Sequence, residues 1–142
     1  MRDGYTTANP ASIALTFSNG ITQPPVNQQT FTPSTGVTPP SGSPFIVAAA
    51  GDGSDGGINT TNVTNLISSI NPNLFLYLGD VYEDGTYAEF YNWYGTGSTS
   101  YSLFLSITDP TIGNHEYVGS SAVGYFDYWN NVPNYYSFNT GG

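Results

Sequence analysis

The first apolar run long enough to make a buried strand is Phe45-Ile46-Val47-Ala48-Ala49-Ala50, which ends in Gly51-Asp52-Gly53. It is apolar on both faces, as a central strand of a covered sheet must be. A Gly-rich loop from Gly51 to Gly57 follows. Val63, Leu66, Ile67 and Ile70 then recur at i, i+3, i+4 and i+7, one stripe of a helix over residues 59–70. Asn59, Thr60 and Thr61 offer caps, and Pro72 enforces the stop. Leu74-Phe75-Leu76-Tyr77-Leu78 predicts a second strand, again apolar throughout and again ending in Gly-Asp, here Gly79-Asp80. Thr86-Tyr87-Ala88-Glu89 is a capping-box pattern that opens a short helix through Phe90, Tyr91 and Trp93, ended by Gly95. A third strand-like piece is expected around Leu103 to Ile107, after which Asp109-Pro110 turns the chain into Thr111-Ile112-Gly113-Asn114-His115-Glu116. The remainder is aromatic, from Gly124 to Trp129, and Tyr135 to Phe138 reads as a strand after the Pro133-Asn134 turn.

The alternation strand–helix–strand–helix–strand predicts an α/β fold, a layered β-sheet with flanking helices. In such sheets ligands sit beyond the carboxyl ends of the strands. Asp52, Asp80 and Asn114 each follow a strand-like segment, so three oxygen-bearing side chains are expected at neighbouring strand ends.

Residues 1–44 differ in character. One short strand, Ile13 to Phe17, closes at Ser18-Asn19-Gly20; then Pro24-Pro25, Pro33, Pro39-Pro40 and Pro44 stand among Thr, Ser and Gly. Such sequence reads as an extended linker or the end of an upstream domain, leaving residues 45–142 as the folded unit.

Composition narrows the choice of function. One Lys or Arg stands against ten Asp and Glu, for a formal net charge of −9. Nucleic acid and anionic membranes both require cationic side chains, so neither is an expected partner. No window approaches the length of apolar sequence that crosses a bilayer, and membrane insertion is not expected. Acidic proteins that handle phosphate solve the problem of sign with bound cations. The absence of Cys removes disulfides and thiolate metal sites. No apolar core follows Met1-Arg2-Asp3-Gly4, so a secretion signal would lie upstream.

The candidate chemistry is that of hard cations, which take carboxylate and amide oxygens with imidazole nitrogen. Asp52 and Asp80 offer charged oxygens and Asn114 a neutral one. His115 offers a nitrogen, or faces the substrate as a general acid. A single Gly-Asp after a strand is most often only a turn. The ordered set is more specific: Gly51-Asp52, then Gly79-Asp80, then Gly113-Asn114-His115-Glu116, each after an apolar segment.

That set resembles the calcineurin-like metallophosphoesterases over residues 45–142. Leu78-Gly79-Asp80-Val81-Tyr82-Glu83-Asp84-Gly85-Thr86 and Gly113-Asn114-His115-Glu116-Tyr117 are similar to secreted bacterial members and relatives of purple acid phosphatases. The resemblance implies the N-terminal half of an α/β/β/α-type β-sandwich. It implies two divalent or trivalent metal ions, iron with zinc, manganese, or zinc. Asp52 is then a ligand of one metal, Asp80 the bridging carboxylate, and Asn114 a ligand of the second. His115 is then the residue that stabilises or protonates the leaving oxygen. The implied reaction is two-metal hydrolysis of a small phosphate ester, a monoester or a diester, in which the metals neutralise developing charge.

Two departures qualify it. The first motif is Asp52-Gly53-Ser54, without the His that many members carry there. Purple acid phosphatases also lack that His and use a Tyr soon after the second Asp. Tyr82 is the counterpart, one residue closer than their usual spacing, or else a ring packed under the loop; Asp55 is an alternative supplementary ligand. The family also needs further His residues, including a Gly-His-x-His motif, whereas this chain has one His in total. The expectation is a fragment that binds metal weakly and turns over little by itself.

Two other readings of different class stand beside the hydrolase. The Thr, Asn, Tyr and Gly bias with almost no Lys or Arg fits an extracellular or cell-surface assembly protein that reuses such a module and self-assembles. A binding module that holds one metal or a phosphate without turnover is the third. The rings of Tyr87, Phe90, Tyr91, Trp93 and Tyr94, and of Tyr125, Phe126, Tyr128 and Trp129, are expected to pack as core rather than to form a carbohydrate platform.

Overall fold

The computed structural model describes residues 31–118 and 121–140, together with the backbone of strands β1 (Leu15–Thr16) and β2 (Thr22–Gln23), which pair antiparallel. The rest of the expected early strand, Ile13 to Phe17, lies outside the described residues. The expected α/β character is present as a three-stranded parallel sheet with flanking helices. Its strands are β3 (Val47–Ala50), β4 (Leu74–Tyr77) and β5 (Thr108–Pro110), in that spatial order. Between β3 and β4 runs helix α1 (Ile58–Ile70). A short helix α2 (Tyr87–Glu89) continues into a π-helical turn over Phe90–Tyr94, and helix α3 (Val123–Tyr128) packs against both.

The capping box opening α2 forms as the sequence predicts. The Thr86 hydroxyl accepts from Glu89 N at 3.2 Å, and the Glu89 carboxylate accepts from Thr86 N at 2.8 Å. Helix α1 starts earlier than expected, at Ile58 behind Gly57, so Asn59 to Thr61 lie inside the helix. Its buried face is also not the expected one. Thr60, Thr64 and Ile67 go inward, whereas Val63, Leu66 and Ile70 are 38, 66 and 45 % exposed. Hydrogen bonds explain the choice: the Thr60 hydroxyl donates to Gly53 O at 2.6 Å and to Asp55 Oδ1 at 2.8 Å, and that of Thr64 donates to Thr60 O at 3.0 Å. A hydroxyl so satisfied can be buried without the penalty of an unpaired group.

The third strand is likewise displaced. Ser100–Ile107 forms a 3-10 helix that buries Tyr101, Ser102 and Phe104, and the strand falls on Thr108–Pro110 instead. Pro110 has no N–H to give a ladder, and β5 is accordingly an edge strand. Tyr135 to Phe138, expected as a strand, has no regular secondary structure.

One face of the sheet carries the core. Ala48, Phe75 and Tyr77 meet Tyr94, Tyr101, Phe104, Phe90, Tyr125 and Trp129, so most rings of the two aromatic clusters are core; Trp93 and Tyr128 are partly buried against it, and Tyr91 is exposed. Tyr77 and Tyr94 pack edge to face at 4.8 Å between centroids, and Tyr94 and Trp129 do so at 5.1 Å. Each ring so buried contributes about 1.5–3 kcal/mol by removal from water. Within the segment expected as linker, residues 31–37 lie along the folded unit. Phe31 packs on Tyr136 at 5.2 Å, Ser34 N donates to Asp109 Oδ1 at 2.7 Å, and Val37 N donates to Asn73 O at 2.8 Å.

Asp109 on β5 is 3 % exposed, and its Oδ2 has no hydrogen-bond partner among the described residues. Burial holds its carboxyl above the usual carboxylate value, with the Ser34 N–H pulling the other way. The unfolded chain therefore releases this proton first. Stability is fully present below the ordinary Asp value and falls as pH rises from there through the raised folded value. Asp109→Asn keeps the acceptor for Ser34 and abolishes the ionisation. Thermal melts are expected to give this variant a midpoint a few degrees above wild type at pH 8, with the gap closing near pH 3.

Candidate functional site

The carboxyl ends of β3 and β4 lie side by side. Beyond the paired strands, Leu78 N donates to Ala50 O at 2.8 Å and Asp52 N donates to Gly79 O at 3.0 Å. This continuation of the ladder brings the two Gly-Asp pairs together. Both aspartates have left-handed backbone, φ 51° at Asp52 and 62° at Asp80, and Tyr82 has φ 60°. Such conformations cost about 1–2 kcal/mol each for residues with a Cβ and are often held at functional sites. The neighbouring Gly79 has φ 87° and lies so close to Gly113 that a Cβ there has no room.

Asp52, Asp80, Tyr82 and His115 line one open cavity of about 320 Å³, with Gly53, Ser54, Asp55, Asn59 and Glu83. Four carboxylate residues and one imidazole, with no Lys or Arg, make this a cavity of negative potential that concentrates cations. Asn114 is not part of that lining. It is exposed and stands at the start of the 3-10 turn His115–Tyr117, where its carbonyl accepts from Tyr117 N at 3.1 Å. Of the expected ligands, Asp52, Asp80 and Tyr82 are thus gathered with His115, and Asn114 stands beside them. Tyr82 also touches Trp93, with ring centroids 5.3 Å apart, while 42 % of its surface stays exposed.

His115 is tied to the second motif twice. Its backbone N–H donates to Asp80 Oδ1 at 2.9 Å, and its Nδ1 lies 2.8 Å from the Glu83 carbonyl oxygen. A carbonyl only accepts, so Nδ1 carries the proton and Nε2 is the nitrogen left for a ligand or a substrate proton. The Glu83 carbonyl raises the imidazole pKa above its ordinary value; the charges of Asp80, Glu83 and Asp52 act in the same direction, and burial opposes them.

Asp55, the alternative ligand, lines the cavity, but its Oδ1 accepts from Gly57 N and from the Thr60 hydroxyl, both at 2.8 Å. These bonds lower its pKa. Asp55 holds the turn into α1 through Oδ1. Ser54, two residues after Asp52, is 2 % exposed, and its hydroxyl is 2.6 Å from that of Tyr77.

The residue that sequence reasoning missed is Glu116. It was legible only as the fourth letter of the third motif, yet its carboxylate is buried at the base of the site, 1 % exposed. Glu116 Oε2 accepts from Gly113 N at 2.7 Å and from Asp80 N at 3.0 Å, and Oε1 accepts from Val81 N at 2.8 Å.

Among this lining, the carboxylates of Asp52 and Asp80, the Tyr82 phenol and the His115 imidazole match in kind the donors that a hard cation takes. In number they supply part of a coordination shell. Among the described residues, no group of three or more His, Cys, Asp or Glu side chains suited to hold a metal ion forms. Comparison of the chain with known protein families, with curated protein sequences and with solved structures finds no match.

The Ser54–Tyr77 hydroxyl pair pins the first motif to β4 from below. Tyr77→Phe leaves the Ser54 hydroxyl buried and unpaired, and is expected to cost about 1–3 kcal/mol. Adding Ser54→Ala removes the orphan, so the double variant is expected to cost less than the sum of the single ones. Urea unfolding of the four proteins measures this directly, and strict additivity would show that the two hydroxyls are not coupled.

Proposed function

We propose that residues 45–142 form the N-terminal part of a calcineurin-like metallophosphoesterase of the secreted, purple acid phosphatase-like kind, acting on small phosphate esters outside the cell. On this reading the parallel sheet is one part of an α/β/β/α sandwich. The observation that carries the proposal is the meeting of the Gly51-Asp52 and Gly79-Asp80 turns at adjoining strand ends, with His115 bonded through its backbone to Asp80. The three motifs that resemble the family in sequence therefore share one cavity wall, although they are separated by tens of residues along the chain.

The cavity as it stands repels a phosphate, since its lining is acidic. Bound divalent or trivalent ions supply the positive charge that holds a phosphate ester and activates water for its hydrolysis. In this chain Asp52, Asp80 and Tyr82 are the residues placed to hold an ion, and Asn114 supports a second from the rim. His115 presents Nε2 for the proton of a leaving oxygen, with its ring fixed by the Glu83 carbonyl. On this reading the described residues fill part of one coordination shell, and this chain alone is expected to bind metal weakly and turn over little.

A second reading, an extracellular assembly protein that reuses the module, has one observation in its favour. Val47 on β3, Leu78 just after β4, and Leu66 and Ile70 on α1 stay 48, 51, 66 and 45 % exposed. Exposed apolar side chains of this kind are what contact with another chain would cover. Self-association unchanged by a chelator favours this reading, and its loss on chelation counts against it.

The hydrolase reading is tested with p-nitrophenyl phosphate and bis(p-nitrophenyl) phosphate in the presence of manganese or zinc, using the natural polypeptide that carries these residues. Asp80→Asn is expected to abolish turnover. Turnover at the wild-type level in that variant would falsify the assignment of the bridging carboxylate.

A further inference from the structure

Resting on the metal-centre reading above, we propose that Glu116 is the positioning residue of the site, an internal carboxylate that sets the place of Asp80 without itself meeting a metal or substrate. The argument begins with where its charge is satisfied. A carboxylate that is 1 % exposed needs donors, and this one takes backbone N–H groups from two separate loops. Asp80 N and Val81 N belong to the loop after β4, and Gly113 N belongs to the loop after β5. One side chain thus joins the second and third motifs through three charge-assisted hydrogen bonds, each roughly twice as strong as its neutral counterpart.

The geometry links that clamp to the functional side chain. Asp80 N is bound to Glu116 while Asp80 Oδ1 accepts from His115 N, so Asp80 is held at its backbone and at its carboxylate by consecutive residues of one turn. Three glycines admit the arrangement. A Cβ at Gly79 has no room against Gly113, one at Gly113 has none against the Asp80 carboxylate, and one at Gly85 would stand 2.5 Å from Glu116 Cα. The left-handed conformation of Asp80, φ 62°, is thereby kept in place by bonds rather than by preference. Glu116 does not line the cavity, which separates its role from those of Asp52 and Asp80. Support of this kind, one step behind the ligands, typically changes metal affinity by about 10- to 100-fold.

Glu116→Gln tests the proposal. The amide has one oxygen for three N–H donors and sets its own NH₂ against at least one of them. Mn²⁺ binding is measured by calorimetry on wild type, Asp80→Asn, Glu116→Gln and Val132→Ala, each checked by circular dichroism for fold. Val132 is a fully buried core residue that does not line the cavity, and its variant controls for lost stability alone. The expected result is no uptake by Asp80→Asn, about 10- to 100-fold weaker uptake by Glu116→Gln, and wild-type affinity in Val132→Ala. A folded Glu116→Gln protein that binds Mn²⁺ as wild type does would overturn the positioning role and leave the centre standing. A wild type that takes up no Mn²⁺ would remove the centre and the proposal with it. Hydrogen exchange on the wild-type protein needs no variant: the amides of Asp80, Val81 and Gly113 are expected to be strongly protected although they lie in loops. Exchange of all three at the rate of open loops overturns the proposal even where Glu116→Gln does not fold.

Discussion

The register between β3 and β4 is the constraint on which the rest of the structure depends. Val47 pairs with Leu74 and Ala50 with Tyr77, residue for residue, so the two strands end level. Gly51-Asp52 follows β3 directly and Gly79-Asp80 follows β4 after one further residue, Leu78, so the level ending sets Asp52 opposite Gly79, next to Asp80. A slip of one residue would change the spacing of these turns and exchange the faces of the sheet. Phe75 and Tyr77 would then leave the aromatic core, and Leu76 and Leu78 would enter it. The burial of large rings on one face and the meeting of two carboxylates at one end are consequences of the same register.

The site is built against its own electrostatics. Asp52, Asp55, Asp80 and Glu83 line one cavity, and the buried Glu116 lies behind it, in a chain with a single Lys or Arg. Backbone N–H groups do the work that cationic side chains do elsewhere. Gly57 N serves Asp55, His115 N serves Asp80, and three amides serve Glu116. Amide donors fix carboxylates in place while leaving the net negative charge of the cavity intact. A cation entering such a cavity meets oxygens that are already oriented, which lowers the cost of ordering them.

Glycine and left-handed aspartate make the close approach of the two loops possible. The strain at Asp52, Asp80 and Tyr82 is opposed by the bonds around Glu116 and by the Ser54–Tyr77 pair beneath the first motif. Stability and site geometry are therefore coupled: the bonds that hold the loops are also the bonds that hold the carboxylates.

Much was legible from sequence because it is local. The apolar runs gave β3 and β4, Thr86 to Glu89 gave the capped helix, and Gly-Asp at each strand end marked Asp52 and Asp80 as candidates. These signals depend on neighbours within a few residues, where periodicity and capping operate. Tertiary structure alone decided the rest. Thr60 and Thr64 took the buried face of α1 in place of Val63 and Leu66, because the fold of the preceding loop turns Gly53 O and Asp55 back onto Thr60, and Thr64 bonds the helix carbonyl of Thr60. The segment Leu103 to Ile107 became the end of a 3-10 helix whose Tyr101 packs on Phe75 and Tyr77 and whose Phe104 packs on Phe75. Glu116 gained its role because the loop after β4, some 35 residues earlier, brings two of its three amide donors. Sequence by itself determined which residues can offer oxygen at a strand end; contacts between distant segments decided which of those oxygens meet and what holds them, since a buried charge is satisfied only by groups that folding brings to it.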